Sequence, residues 1–173
     1  MGNKNARSSK RKVELSAENQ RFYGLENLGA SSWGNCVIQA LYHCPSFRER
    51  LLPYKREKRS GKGSLVSLAN LFDEICLKSA RAGVIRPTKF FNVLREENEF
   101  LDYTKPNDAF EFLAYLLNVG NDRLEEEKKN STTTSRTWMQ ELVEIVLVNQ
   151  QRCLTCETVS AFSPENYRLA IGF

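Results

Sequence analysis

A short glycine-flanked segment near the start of the chain contains the residues best suited to chemistry. It reads Gly-Ala-Ser-Ser-Trp-Gly-Asn-Cys from Gly29 to Cys36 and leads into an apolar stretch that favours a helix. A serine such as Ser32 acts as a nucleophile only beside a base that takes its proton and near donors that hold the oxyanion. The chain has one histidine, His43, eleven positions further on. On a helix the two residues would lie roughly 16 Å apart, against a hydrogen-bond reach of ~3 Å. Ser32 is therefore predicted to lack a base.

The thiols close to this segment are alternative nucleophiles. Cys36 lies seven residues before His43, which corresponds to about 10 Å along the same helix. Cys44 follows His43 directly and would point elsewhere on a helix. We therefore expect Cys36 and Cys44 to be core thiols, Ser32 to be a helix N-cap or loop residue, and His43 to be a side chain at the helix end.

A second segment, the Cys-Leu-Thr-Cys run from Cys153 to Cys156, contains residues that could bind a metal ion. Two cysteines at this spacing form half of a tetrahedral zinc site, which normally takes four ligands. The other cysteines, Cys36, Cys44 and Cys76, fall on predicted helices far from this run. No cofactor is therefore expected, and zinc binds only if further ligands are supplied. An odd total of five cysteines favours free thiols over disulfides.

The elements that must position these residues are mainly helices. Periodic apolar residues and helix-start signals predict helices at 35–43, at 47–52 after a Ser46 cap, at 64–79, after Pro87-Thr88, and after Asn107-Asp108. The last of these is apolar on nearly every side at its start, so it should be central. β-branched and apolar residues predict strands at 144–149 and 158–162.

Charge distribution separates the first residues from the rest of the chain. Residues 1–12 contain five bases and no acid, which leaves 20 bases and 21 acids elsewhere. Residues 1–20 are therefore predicted to be a flexible basic arm, and nucleic-acid binding is not expected. No apolar run approaches the ~20 residues that cross a bilayer, and no secretory signal is apparent. The expected location is cytoplasmic or nuclear, without a membrane partner.

Three separated segments, in order, resemble the ubiquitin-specific protease family. In that family an Asn, a Thr and the nucleophilic Cys occupy the positions of Ala30, Ser31 and Ser32. Residues 106–113, Pro-Asn-Asp-Ala-Phe-Glu-Phe-Leu, are similar to the family's Gln-Gln-Asp-Ala-His-Glu-Phe-Leu segment. The stretch from Trp138 to Ser160 is similar to the entry into the family's zinc-ribbon fingers. Shorter likenesses, such as residues 83–87, point to the subgroup whose activity depends on WD-repeat partner proteins.

The resemblance implies an α+β, papain-like fold with a helical thumb and incomplete fingers and palm strands. Residues 21–173 would form a partial catalytic-type domain, with the thumb at about 21–126, a mobile loop at about 127–136 and the start of the fingers at 137–173. Asp108 aligns with the acidic residue that faces the basic tail of ubiquitin, although an acid in a first helical turn also suits the helix dipole. Phe110, at the family's His position, is expected to pack in the core.

The same likeness bears on activity. Ser32 stands at the nucleophile position, and Ala30, at the oxyanion position, has no side-chain donor. We therefore expect a truncated, catalytically inactive member of the family that binds ubiquitin or a family partner such as a WD-repeat protein. The alternative is a thiol-dependent deubiquitinase that hydrolyses ubiquitin isopeptide bonds, seen here as a partial or divergent sequence.

Overall fold

The protein is described by a computed structural model that covers residues 22–57, 62–129, 136–143 and 149–162. In chain order these ranges contain β1 Phe22–Leu25, α1 Ser32–His43, α2 Pro45–Glu57, α3 Ser64–Leu77, β2 Ala82–Ile85, α4 Thr88–Glu97, α5 Ala109–Lys129, α6 Trp138–Val143, β3 Asn149–Arg152 and β4 Val159–Phe162. Within them, no helix is both long and apolar enough to cross a membrane.

Helices α1 to α5 pack around one core because apolar side chains recur every three or four residues along them. Fully buried side chains come from all five helices: Ile38, Tyr42, Leu51, Leu65, Leu68, Phe72, Ile75, Phe90, Phe91, Leu94, Phe112 and Leu116. Helix α5 packs against α1, α3 and α6. The prediction that this helix is central is therefore confirmed.

The described residues also form two small two-stranded sheets. Strands β1 and β2 pair in parallel, with Tyr23 opposite Gly83 and Leu25 opposite Ile85. This pairing was not predicted, because each strand has four residues and contains a glycine. Strands β3 and β4 form an antiparallel pair in which Arg152 lies opposite Val159. The second predicted strand, 158–162, is confirmed as β4, whereas most of the first, 144–148, lies outside the described residues.

Several predicted boundaries were wrong. Helix α2 begins at Pro45, before the predicted Ser46 cap, since a proline suits the first helical position, and it continues through the exposed Pro53 to Glu57. Helix α3 ends at Leu77, two residues early. Helix α5 continues to Lys129, so the part of the predicted loop at 127–129 is helical, and most of the remainder lies outside the described residues. The predicted arm at 1–20 lies outside the described residues.

Candidate functional site

The loop before α1 is held in place by a buried serine. The Ser31 side chain is fully buried. Its Oγ accepts a hydrogen bond from the Leu28 backbone N–H at 2.9 Å, and its own backbone N–H donates to Asn27 Oδ1 at 3.0 Å. Gly29 has a φ of +116°, a conformation that glycine adopts readily. These contacts fix the positions of the two residues that flank Ser31.

The prediction that Ser32 is a helix N-cap or loop residue was wrong, because Ser32 is the first residue of α1 and Ser31 holds the N-cap position. The Ser32 side chain is exposed. Within the ranges that the structure describes, its hydroxyl forms no hydrogen bond. Ala30 is half-buried, and its backbone N–H donates to the Tyr103 carbonyl at 2.9 Å. The structure therefore places the predicted nucleophile and oxyanion positions on the surface at the start of α1.

His43 is the last residue of α1, at the opposite end from Ser32. Its exposed ring stacks on the Phe22 ring with centroids 6.3 Å apart. On a 12-residue helix this separation along the axis is roughly 16 Å. The position of His43 as a helix-end side chain is confirmed, and the structure does not bring it near Ser32.

The expectation that Cys36 and Cys44 are core thiols was wrong, because both are exposed. Cys36 lies one turn after Ser32 on the same outward stripe of α1. Its thiol donates to the Trp33 carbonyl at 3.1 Å. Cys44 follows the last residue of the helix, where the apolar stripe has ended.

Asp108 caps the N-terminus of α5. Its Oδ1 accepts hydrogen bonds from the backbone N–H groups of Phe110 at 2.7 Å and Glu111 at 3.1 Å. The residue is exposed, and Oδ2 forms no hydrogen bond within the described ranges. Phe110 is 43% exposed, so the prediction that it packs in the core was wrong. Phe112, two positions further on, is the aromatic residue of this turn that enters the core.

Trp33 joins the beginnings of α1 and α5. Its ring meets Phe112 edge-on at 5.1 Å and Phe91 at 5.8 Å. Its indole N–H donates to the Lys105 carbonyl at 3.2 Å. Together with the bond from Ala30 to Tyr103, this contact holds the loop before α5 beside the loop before α1. The two segments that the sequence singled out therefore belong to one surface. Tyr103 and Lys105 were missed because they act through backbone carbonyls, which any residue type supplies.

The Cys153 and Cys156 side chains are exposed at the turn between β3 and β4. Hydrogen bonds from the Thr158 hydroxyl and backbone N–H, and then from the Cys153 thiol, lower the pKa of Cys156 to about 7. Among the described residues there is no group of three or more side chains that could hold a metal ion. The two thiols thus supply only half of the ligands that structural zinc needs.

Comparison with known proteins decides the family. A family model described as ubiquitin carboxyl-terminal hydrolase matches residues 23–169, which is most of the chain. The chain belongs to this family. The resemblance to ubiquitin-specific proteases is thereby confirmed, whereas the WD-repeat-dependent subgroup remains a prediction.

Two sequence relatives in the family show how much of a hydrolase the chain spans. Ubiquitin carboxyl-terminal hydrolase 12 of Salmo salar is 40% identical over 162 residues, covering 83% of this chain and 44% of that protein. Ubiquitin carboxyl-terminal hydrolase 4 of Arabidopsis thaliana is 36% identical over 172 residues, covering 83% of this chain and 47% of that protein. The chain therefore spans about half the length of these hydrolases.

Solved structures of the family share the fold. The SAGA Ubp8/Sgf11/Sus1/Sgf73 DUB module bound to ubiquitin aldehyde matches with a TM-score of 0.60 and 18% identity, covering 85% of this chain and 35% of that chain. A variant of that module bound to monoubiquitin matches with a TM-score of 0.61 and 17% identity, covering 90% and 37%. The predicted α+β fold of the ubiquitin-specific proteases is confirmed.

Proposed function

We propose that this chain is a non-hydrolysing, ubiquitin-binding member of the ubiquitin carboxyl-terminal hydrolase family. The observation that carries the proposal is the start of α1. There an exposed serine without a hydrogen-bonded base, Ser32, stands at the family's nucleophile position.

The nucleophile is deficient in both acidity and activation. A serine hydroxyl is far less ionised at neutral pH than a thiol, so it reacts only when a neighbouring base removes its proton. The chain's single histidine is at the far end of the same helix. Among the described residues, Ser32 therefore has no histidine within hydrogen-bond reach to activate its hydroxyl.

The oxyanion position is deficient as well. A tetrahedral intermediate is stabilised by donors aimed at its oxygen, and the loss of one donor typically costs on the order of 10²- to 10³-fold in rate. The Ala30 methyl cannot donate, and the Ala30 backbone N–H is already bonded to Tyr103. Any anion held here would depend on the remaining backbone amides at the start of α1.

The surface beside α5 retains a group suited to ubiquitin. Asp108 uses Oδ1 to cap the helix, which leaves Oδ2 for a ligand. By family resemblance this carboxylate faces the basic C-terminal tail of ubiquitin. The matched solved structures hold ubiquitin or ubiquitin aldehyde, which supports the same ligand here.

Two further elements of the proposal concern partners and metal. We infer that a WD-repeat protein is a candidate partner, on the resemblance alone. Zinc binds Cys153 and Cys156 only where further ligands come from outside the described residues.

Titration of isotope-labelled ubiquitin with the full chain, followed by NMR, tests the binding half of the proposal. We expect shifts in the C-terminal tail of ubiquitin that weaken several-fold with Asp108→Asn. The matched control is Asp122→Asn, an equal change of charge on an exposed residue about four turns along the same helix. Absence of tail shifts, or equal effects of the two variants, would contradict ubiquitin binding through Asp108.

The competing function is thiol-dependent hydrolysis, which family membership favours. Cys36 is the thiol nearest the start of α1 and is exposed. Its Sγ donates a hydrogen bond to the Trp33 carbonyl at 3.1 Å. Ubiquitin-linked turnover that Cys36→Ser abolishes would favour this alternative.

A further inference from the structure

The parallel pair of β1 and β2 has an exposed face that is apolar. Side chains alternate between the two faces of a strand, and Tyr23 and Ile85, on the inner face, are buried. The outer face consists of apolar residues and a glycine: Phe22, Gly24, Ala82 and Val84. Phe22 is 57% exposed and Val84 is 71% exposed. Parallel strands normally have both faces covered, so this face is typical of a surface that another molecule covers.

The outer edge of β2 has unpaired backbone groups. The Phe22 N–H of β1 donates to the Arg81 carbonyl at 2.8 Å. Backbone groups of successive residues point to opposite sides of a strand, so those of Ala82 and Val84 point away from β1. In the part of the chain that the structure describes, no residue forms a hydrogen bond with these outward groups. Such an edge is a template on which another strand can pair.

The far edge of β1, by contrast, is covered by side chains of α1. Gln39 Nε2 donates to the Tyr23 carbonyl at 2.6 Å. One turn earlier on the helix, Asn35 Nδ2 donates to the Leu25 carbonyl at 3.4 Å. Of the two edges of this pair, the edge of β2 is therefore the one that can accept a further strand.

The residues around β2 are basic. Residues 78–89 contain four bases and no acid. The bases are Lys78, Arg81, Arg86 and Lys89. Arg81 and Lys89 are exposed, and neither forms an ion pair within the described ranges. The other two contact Glu74 at 3.4 Å and Glu26 at 3.6 Å, in pairs that are largely exposed. Because complementary charges select between partners, this setting favours an acidic one.

We propose that β2 docks an extended acidic segment of a partner protein, which adds a third strand at the open edge. The backbone of the segment pairs with Ala82 and Val84, as in other cases of strand addition. Its alternate side chains are apolar and continue the outer face beside Val84. Acidic residues at its two ends interact with Arg81 and Arg86, which flank the strand. A third strand also stabilises a sheet that is marginal with two.

The charges disfavour two other occupants of this edge. A second copy of the chain that paired its own β2 here would bring the same bases together, and like charges across a strand pair are destabilising. Residues 1–12 contain five bases and no acid, so they have the wrong charge as well. An acidic segment of another protein meets neither repulsion.

The test uses the isotope-labelled full chain and a short synthetic peptide in which valine and threonine alternate between glutamates at each end. NMR should show shifts at the Ala82 and Val84 amides on addition of this peptide, together with slower hydrogen exchange at both, and no change in α5. A control peptide with lysine in place of glutamate should bind about ten-fold more weakly, because its charges repel those beside β2.

Two pairs of variants separate the backbone contribution from the charge. Val84→Pro removes an outward N–H, a change that edge strands tolerate, and should weaken binding about ten-fold, whereas Val84→Thr keeps the N–H and should bind normally. Arg81→Glu should make the chain prefer the lysine peptide. Lys62→Glu, an equal change of charge on an exposed residue at the opposite end of α3, should not. A glutamate peptide N-methylated at alternate residues tests the backbone pairing without any substitution in the chain.

Three results would overturn the proposal. Slow exchange at the Ala82 and Val84 amides in the dilute chain alone would show that other residues of the chain already cover the edge. Dimers that Val84→Pro disrupts would identify a second copy as the occupant. Equal binding of the two peptides, or no shifts with either at millimolar concentration, would contradict an acidic strand. None of these outcomes involves Asp108, so the proposed binding of ubiquitin is tested separately.

Discussion

Asp108 has a structural role as a helix cap and a proposed functional role in binding ubiquitin. One oxygen of its carboxylate caps α5, and the other is available to a ligand. An acid at this place also interacts favourably with the helix dipole. The two roles can be separated because asparagine caps a helix about as well as aspartate but has no charge.

Replacement of Asp108 should lower the stability of the chain, because this side chain caps α5. Asp108→Ala removes the oxygen that accepts two backbone N–H groups, so the free energy of unfolding should fall by about 1 kcal/mol. Asp108→Asn keeps an acceptor and should lose less. Urea unfolding followed by circular dichroism measures both, and equal losses would contradict capping by the side chain.

At the scale of single residues, the sequence predicted where a residue lies along a helix better than it predicted which way its side chain points. The acid at the start of α5 and the histidine at the end of α1 were expected where they are found. Cys36, Cys44 and Phe110 were expected in the core, but all three are exposed. The rotation of a helix about its axis, however, is set by what packs on it, and Trp33 and Phe112 fill the space between α1 and α5. Phe110 and Cys36 are left facing outward.

Among the elements, α1 and α4 approach closely at Gly34. A Cβ built at this position would lie 2.7 Å from the Phe91 ring, which is fully buried. No side chain larger than hydrogen fits there without movement. The Phe91 ring also meets the Trp33 ring at 5.8 Å, so it packs against the start of α1.

Gly34→Ala should therefore destabilise the chain. Overpacking typically costs about 1–3 kcal/mol, offset by ~1 kcal/mol from the better helix propensity of alanine, so a net loss of up to about 2 kcal/mol is expected. The matched control is Gly24→Ala, where the nearest atom would be at 3.8 Å and the site is exposed. Urea unfolding should show a lower stability for Gly34→Ala than for Gly24→Ala. Equal stabilities would show that the Phe91 ring moves to accommodate the methyl group.

Helices α2 and α5 are linked by Tyr54, whose hydroxyl donates to Glu127 Oε1 at 2.7 Å. Burial, followed by the hydrogen bond and charge of Glu127, raises the pKa of Tyr54 from 10.0 to about 12. The folded chain thus holds the phenol proton more tightly than the unfolded chain. This contribution to stability is complete below about pH 10 and is lost as the pH rises towards about 12.

Unfolding measured across this alkaline range should show a decline in the free energy of unfolding that Tyr54→Phe reduces. The variant has no phenol proton to lose, so its curve should be flatter. Parallel curves for the two chains would contradict a raised pKa for Tyr54.

For the whole molecule, the order of helices α1 to α5 and the family were predictable because periodicity and short motifs are local properties of the sequence, whereas helix α6 was not predicted. The parallel pairing of β1 with β2 was not, since it joins four-residue segments about 60 positions apart. The contacts of Ala30 and Trp33 with the backbone of the loop before α5 were not predictable either. These long-range contacts unite the two motifs on one surface, and they required the folded structure.

The most direct test of the central claim is an assay of the full chain with a fluorogenic substrate attached to the ubiquitin C-terminus. Because Ser32 has no histidine within reach among the described residues and Ala30 has no side-chain donor, we expect no release above buffer by the chain, by Ser32→Ala or by Cys36→Ser. Release of the fluorophore by the chain, abolished by Ser32→Ala or by Cys36→Ser, would contradict the claim that this surface binds ubiquitin without cleaving it.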